Sequence, residues 1–184
     1  MVVDAALIAA PISTKNKDKS RDPVMHSSKK GNQWYFDMKA HIGADAESCL
    51  VHSVGSTSGH AGDIAEGNAL LYGLEAVAFG DAGCKSVEKR ADAKAQARWH
   101  IAMQPGKRRA LDKNDQADVL IDQTEKLKAS VRAKVEHPYQ VIKCQLEYAR
   151  VRYRGLKKNK AQLFTLFALF NLLMVRGKLM TAQE

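Results

Sequence analysis

Met1-Val-Val-Asp4-Ala-Ala-Leu-Ile-Ala-Ala10, closed by Pro11, is the stretch that decides the fold class of this chain. Apolar residues fill it almost without a break, as in a strand covered on both faces of a sheet. Asp4 is the exception. A carboxylate in the middle of an apolar strand is costly unless it is paired or holds a metal. A place at a barrel edge or an interface accounts for it equally well. The run starts almost at Met1, so no domain is expected ahead of it.

Working outward, Gln33-Trp-Tyr-Phe-Asp-Met-Lys-Ala-His-Ile-Gly43 and Ser48-Cys-Leu-Val-His-Ser-Val54 have strand composition. The polar turn at 44–47 joins them into a β-hairpin. His41 and His52 read as ordinary strand residues. A loop with three glycines, Gly55 to Gly62, follows, and Asp63 is placed to cap a helix through Ala65, Ala69, Leu70 and Leu71. Glu75 to Gly80 predicts a short strand with Asp81 directly after it, a common functional position in α/β sheets. Ser86 to Ala97 reads as a polar helix, Arg98 to Met103 as a strand, and Pro105-Gly-Lys-Arg-Arg109 as a basic turn. From Asp115 onward, Ala117, Leu120, Thr124, Leu127, Val131 and Val135 recur at the spacing of an amphipathic helix. A buried helix from Gln162 to about Lys178 ends the chain.

That order predicts an α/β fold in one domain, residues 1–184, with a helical C-terminal part at about 115–180. A basic loop at about 13–32 carries Lys15, Lys17, Lys19, Arg21, Lys29 and Lys30. It is either a solvated linker or a segment that an anionic partner orders.

Charge is divided unevenly. The formal net charge is +9, but up to Asp81 there are 7 Lys and Arg against 10 Asp and Glu, and beyond it 22 against 10. Acids gathered in one half and bases in the other suit a metal beside a phosphate backbone. The basic excess points to nucleic acid or an acidic membrane surface. The apolar run Leu163 to Val175 is 13 residues, short of the roughly 20 that span a bilayer, so no membrane embedding is expected. Cys49, Cys84 and Cys144 are odd in number and far apart, as for reduced thiols in the cytoplasm.

Within the basic half, Arg132-Ala-Lys-Val-Glu136-His-Pro-Tyr-Gln-Val-Ile-Lys143 spaces a cation, a carboxylate and a cation so that a continuous helix puts them in one stripe. A solvated helix face is the plain reading. Pro138 is expected to kink the helix between Glu136 and Lys143. Arg108, Arg109, Arg152, Arg154 and Lys157 form further basic groups, with Tyr153 among them, suited to backbone phosphates. Two-metal phosphodiester chemistry needs carboxylates converging from different elements, and Asp4, Asp81 and Glu136 lie on three. Mg²⁺ takes oxygen ligands and keeps several waters, so three acids suffice.

The chain resembles the DDE transposases of bacterial insertion sequences, in the group named for insertion sequence five. The resemblance rests on Val2-Val-Asp4-Ala-Ala-Leu-Ile-Ala-Ala-Pro-Ile-Ser-Thr-Lys-Asn16, Lys29-Lys-Gly-Asn-Gln-Trp-Tyr-Phe36, Met38-Lys-Ala-His-Ile-Gly43, Asp81-Ala-Gly83, Pro105-Gly-Lys-Arg-Arg109, Val135-Glu-His-Pro-Tyr139 and Val151-Arg-Tyr-Arg-Gly-Leu156. It implies an RNase H-like mixed sheet flanked by helices, with Asp4, Asp81 and Glu136 as catalytic acids holding two Mg²⁺ (or Mn²⁺) ions. It implies DNA, as transposon ends and target, for the substrate, with Arg132 and Lys143 on phosphates. It also implies a nucleoid-associated cytoplasmic protein that works as a homo-oligomer or with full-length transposase. The family signature Tyr-x2-Arg-x3-Glu-x6-Lys is matched by Arg132, Glu136 and Lys143, with Ala129 at the tyrosine position. Cys84 and Cys49 stand where an aromatic and a turn glycine are usual. Full-length relatives carry an N-terminal region that reads inverted repeats. The expectation is therefore a catalytic domain without it, either active or a fragment that binds DNA and interferes with full-length transposase.

Overall fold

The computed structural model describes residues 1–93 and 97–181. Six strands, β1 (Val2–Ala9), β2 (His26–Lys30), β3 (Gln33–Ala44), β4 (Val51–Ser58), β5 (Val77–Gly80) and β6 (Arg98–Ile101), form one mixed sheet. Its order is β2-β3-β1-β5-β6, with β4 also paired to β3. β3 is long enough to pair with β2 through its first half and with β4 through its second. The helices are α1 (Ile64–Gly67), α2 (Pro105–Arg109), α3 (Gln116–Ala133), α4 (Glu136–Gln140) and α5 (Leu156–Thr181). This is the RNase H-like arrangement, a mixed sheet flanked by helices with a helical C-terminal segment.

Alternation along β1 and β3 makes two faces. Val2, Ile8, Met38, Ala40, Ile42 and Ala44 form the main core with Leu163, Leu166, Phe167 and Phe170 of α5. Those four recur at offsets of three and four residues, the buried stripe of a helix. Asn171 fixes the register of α5, donating to the Val51 carbonyl at 2.8 Å and accepting from its amide at 2.9 Å. On the opposite face Val3, Leu70, Leu71 and Ala78 make a smaller core.

β1 and β5 diverge almost at once. Their parallel pairing consists of Val2 with Phe79. β1 next meets a neighbour on that side at Ala9, which donates to the Ala149 carbonyl and accepts from the Val151 amide. Between those points that edge of β1 pairs with no strand among the described residues, and the sheet is split.

Several expectations need correction. The 13–32 segment is not all loop: His26-Ser-Ser-Lys-Lys30 forms β2, an edge strand paired antiparallel to β3. β4 runs through Ser58 and so takes in much of the expected glycine loop. The polar helix expected at 86–97 is a 3₁₀ turn at Val87–Lys89, with residues 94–96 outside the described residues. The basic turn at 105–109 is the short helix α2, opened by Pro105 where a missing amide costs nothing. α5 starts at Leu156 and takes Lys157 into its first turn.

The largest correction concerns α3. The first four positions of the expected apolar stripe, Ala117, Leu120, Thr124 and Leu127, face solvent, with Leu120 at 57% and Leu127 at 69% exposure, while Val131 packs against the main core and Val135 lies in it. Asp118, Asp122, Glu125, Lys128 and Arg132 lie on the side turned inward. Asp122 pairs with Arg108 at 2.7 Å, and buried Glu125 accepts from the Met103 amide at 2.7 Å and from Lys128 at 2.6 Å. Lys128 also donates to the Ile101 carbonyl at the end of β6. Specific hydrogen bonds have overridden the hydrophobic period.

Candidate active site at the split between two strands

Asp4 and Asp81 come to the split from opposite sides. Asp4 sits on β1 two residues past its pairing with β5. Burial pushes its carboxyl up to about 6; the Ala5 amide and the Arg132 guanidinium oppose the rise, and Asp81 and Asp63 add to it. Asp81 follows β5 at the head of the 3₁₀ turn Ala82–Cys84, accepting from the Gly83 amide at 2.9 Å. Cys84, at the end of that turn, is buried. Burial drives its thiol up to about 12, with the Asp81 and Asp63 charges adding to the rise.

Asp63 is a residue the sequence reading misassigned. It makes no side-chain cap on α1, a helix of only four residues. Its Oδ1 instead pairs with Lys39 Nζ at 2.9 Å, and that lysine also donates to the Ala61 carbonyl at 2.7 Å. A methyl group on Gly83 would lie 3.0 Å from Asp81 Oδ1 and 3.2 Å from Asp63 Oδ2. The two carboxylates therefore border one small space that only a glycine leaves open. The usable signal was Gly67, so soon after Asp63 that little helix remained to be capped. His41, beside this pair, is an ordinary strand residue as expected. Burial holds its ring down to about 4, and it shares a 2.7 Å hydrogen bond with Thr57.

The helical stripe is broken in a different place from that expected. α3 ends at Ala133 and α4 begins at Glu136, so Arg132 and Glu136 lie on separate helices. Pro138 occupies the first turn of α4, where its lack of an amide hydrogen does no damage. Beyond α4 the chain winds into a π turn, Val141–Gln145, which carries Lys143. Such wider turns shift the phase of every side chain after them. Lys143 lies 5.8 Å from the Tyr139 ring and lines a groove of about 380 Å³ with Leu7, Tyr35 and Asp37.

Tyr139 ties α4 to the site. Its buried hydroxyl lies 2.9 Å from the Asp4 carbonyl and 2.8 Å from that of Ala40, and donates between them. Glu136, one turn earlier, is exposed. The charges of Asp81, Asp63 and Arg132 all act on Asp4. Arg132 Nε is buried and has no hydrogen-bond partner among the described residues. An orphaned guanidinium N–H is costly unless an anion meets it.

No three His, Cys, Asp or Glu side chains form a closed ligand set among the described residues. The donors nevertheless suit a hard divalent cation that keeps its waters: Asp81 and Asp63 border one space, and burial with their like charges lifts Asp4.

The other basic residues are scattered. Arg109 is exposed on α2, whereas Arg108 is committed to Asp122. Arg152 and Lys157 are exposed. Arg154 clamps the segment after β1, pairing with Asp18 at 2.8 Å and donating to Ser20 and to the Arg21 carbonyl. Among the described residues no helix is long and apolar enough to cross a membrane.

A family model described as the transposase DDE domain matches residues 1–172. No solved structure matches the chain.

Proposed function

We propose, from the premise that this chain belongs to the transposase DDE-domain family, that it cuts and joins DNA strands at transposon ends. The family carries the general statement: DNA binding, strand cleavage and strand transfer. The finer reading, an enzyme of the insertion-sequence-five group with one catalytic unit over residues 1–184, is ours. The observation that carries it is the meeting of Asp4 and Asp81 at the β1–β5 split, with the buried, unpartnered Nε of Arg132 on the same side.

In this reading Asp4, Asp81 and Glu136 would hold two Mg²⁺ or Mn²⁺ ions. When bound, these supply Lewis-acid activation of the attacking oxygen and neutralise charge on the leaving one. Arg132 and Lys143 orient phosphates on either side of the acids, and Lys143 lies along the open edge of β1. Arg109, Arg152 and Lys157 track the backbone further out, while Arg108 and Arg154 hold α3 and the 13–25 segment in place for them. A water attacks a phosphorus at the transposon end and frees a 3′-hydroxyl. That hydroxyl then attacks a target phosphodiester. Work on paired ends implies a homo-oligomer or assembly with full-length transposase, at the nucleoid.

One observation favours a second reading. Glu136 is exposed, whereas Asp4 and Asp81 are half-buried, as in a chain that binds DNA or joins full-length transposase without cutting. The deciding experiment is strand cleavage and joining of inverted-repeat DNA with Mg²⁺ or Mn²⁺, comparing Asp81→Asn with the parent. Catalysis predicts products from the parent alone. Equal inactivity of both, with fold and DNA binding intact, would leave the binding reading.

A further inference from the structure

The groove bordered by Asp63 and Asp81 runs to an exposed tryptophan. It holds about 500 Å³, and its far wall is lined by Ser27, Ser28, Lys29 and Trp34 of the β2–β3 hairpin. Trp34 is 67% exposed. It sits opposite Lys29 in the strand register, with the ammonium 6.0 Å from the ring centroid. An indole so exposed contributes little to folding, since its apolar area stays in water. Phe36, two residues along the same strand, is by contrast half-buried and packs against the main core.

We propose that this groove is a subsite for one unpaired nucleotide, its base stacked on the Trp34 indole and its phosphate met by Lys29. A base offers its π face to a side chain only when it has left the duplex, and stacking of this kind tolerates any sequence. The groove's volume lies in the range of small-ligand sites, about 300–1,000 Å³, and suits a nucleotide rather than a paired helix. With no cation bound, Asp63 and Asp81 at the other end repel a second phosphate, so in the metal-free chain the base lies at Trp34 and the backbone runs toward Lys29. The inference rests on the DNA-processing reading above, because it places the unpaired residue of the substrate strand beside the acids.

The test is binding in EDTA, which separates it from any outcome of the cleavage assay. The full chain is titrated with a duplex carrying an unpaired 2-aminopurine at one end and with a blunt duplex of equal length. Quenching of the 2-aminopurine and tighter binding of the unpaired end are expected. Trp34→Ala should weaken that binding by about five- to a hundredfold, the scale of one lost stack, and leave the blunt duplex unchanged. Trp34→Phe should retain most of it. Circular dichroism of Trp34→Ala checks that the hairpin variant is folded. Equal affinity of parent and Trp34→Ala for the unpaired end would overturn the subsite while sparing the DNA reading. Failure of the parent to bind either duplex would overturn both.

Discussion

Asp4 is where the site and the fold conflict. Its carboxyl is raised from 3.8 to about 6, chiefly by burial. The folded state therefore holds the proton more tightly than the unfolded chain does. Stability is unaffected below about pH 4, falls as pH rises through the interval to 6, and stays lowered above it. Asp4→Asn should accordingly stabilise the metal-free protein at pH 7 by about 2–3 kcal/mol, with no gain at pH 3.5. Urea melts across that range would show it, and a pH-independent difference would refute it. Gly83→Ala places a methyl against Asp81 and Asp63, so Mn²⁺ affinity measured by calorimetry should drop about tenfold or more, the scale on which residues that hold metal ligands act. Asp4 and Asp81 were legible because an acid inside or just after a buried strand breaks an apolar pattern. Asp63 was not, because a polar residue before a helix has an ordinary use, and its true partner, Lys39, lies 24 residues away.

Among the elements, the strands β1, β3, β5 and β6 and the helices α3 and α5 were legible from period and composition. β2 was not: His26-Ser-Ser-Lys-Lys30 has no apolar alternation and is a strand by backbone pairing to β3. The orientation of α3 was misread for a reason that can be measured. Leu127 is exposed, so Leu127→Ala should change stability by no more than about 0.5 kcal/mol. Phe167→Ala in the core should cost about 3–5 kcal/mol. Glu125→Gln should cost about 1–3 kcal/mol, since it weakens the bonds to Met103 and Lys128 inside the docked face. Burial pushes the Glu125 carboxyl up, but those two bonds and the nearby cations hold it below its usual range. Its contribution is thus present above about pH 4.5 and lost as pH falls. α3 should loosen in acid before α5 does, and amide protection at pH 3.5 compared with pH 7 would register the order.

Across the whole molecule, charge asymmetry survives folding as a division of labour. Asp4, Asp63 and Asp81 lie at the sheet split, while exposed Arg109, Arg152 and Lys157 lie on three different segments. DNA affinity should fall steeply with salt, with a log–log slope of about −0.9 for each phosphate neutralised. A slope near zero in a filter-binding series would contradict the basic-half reading. The split has a mechanical consequence. A single strand pair, Val2 with Phe79, joins β1 to β5 before they part. Asp4 stands on one side of the split and Asp81 on the other. The distance between the two acids is therefore set by how far β5 splays from β1, much as the gap of a book depends on its spine. An ion shared by the two acids would act as a staple, closing the book and slowing hydrogen exchange along β5 more than along β3.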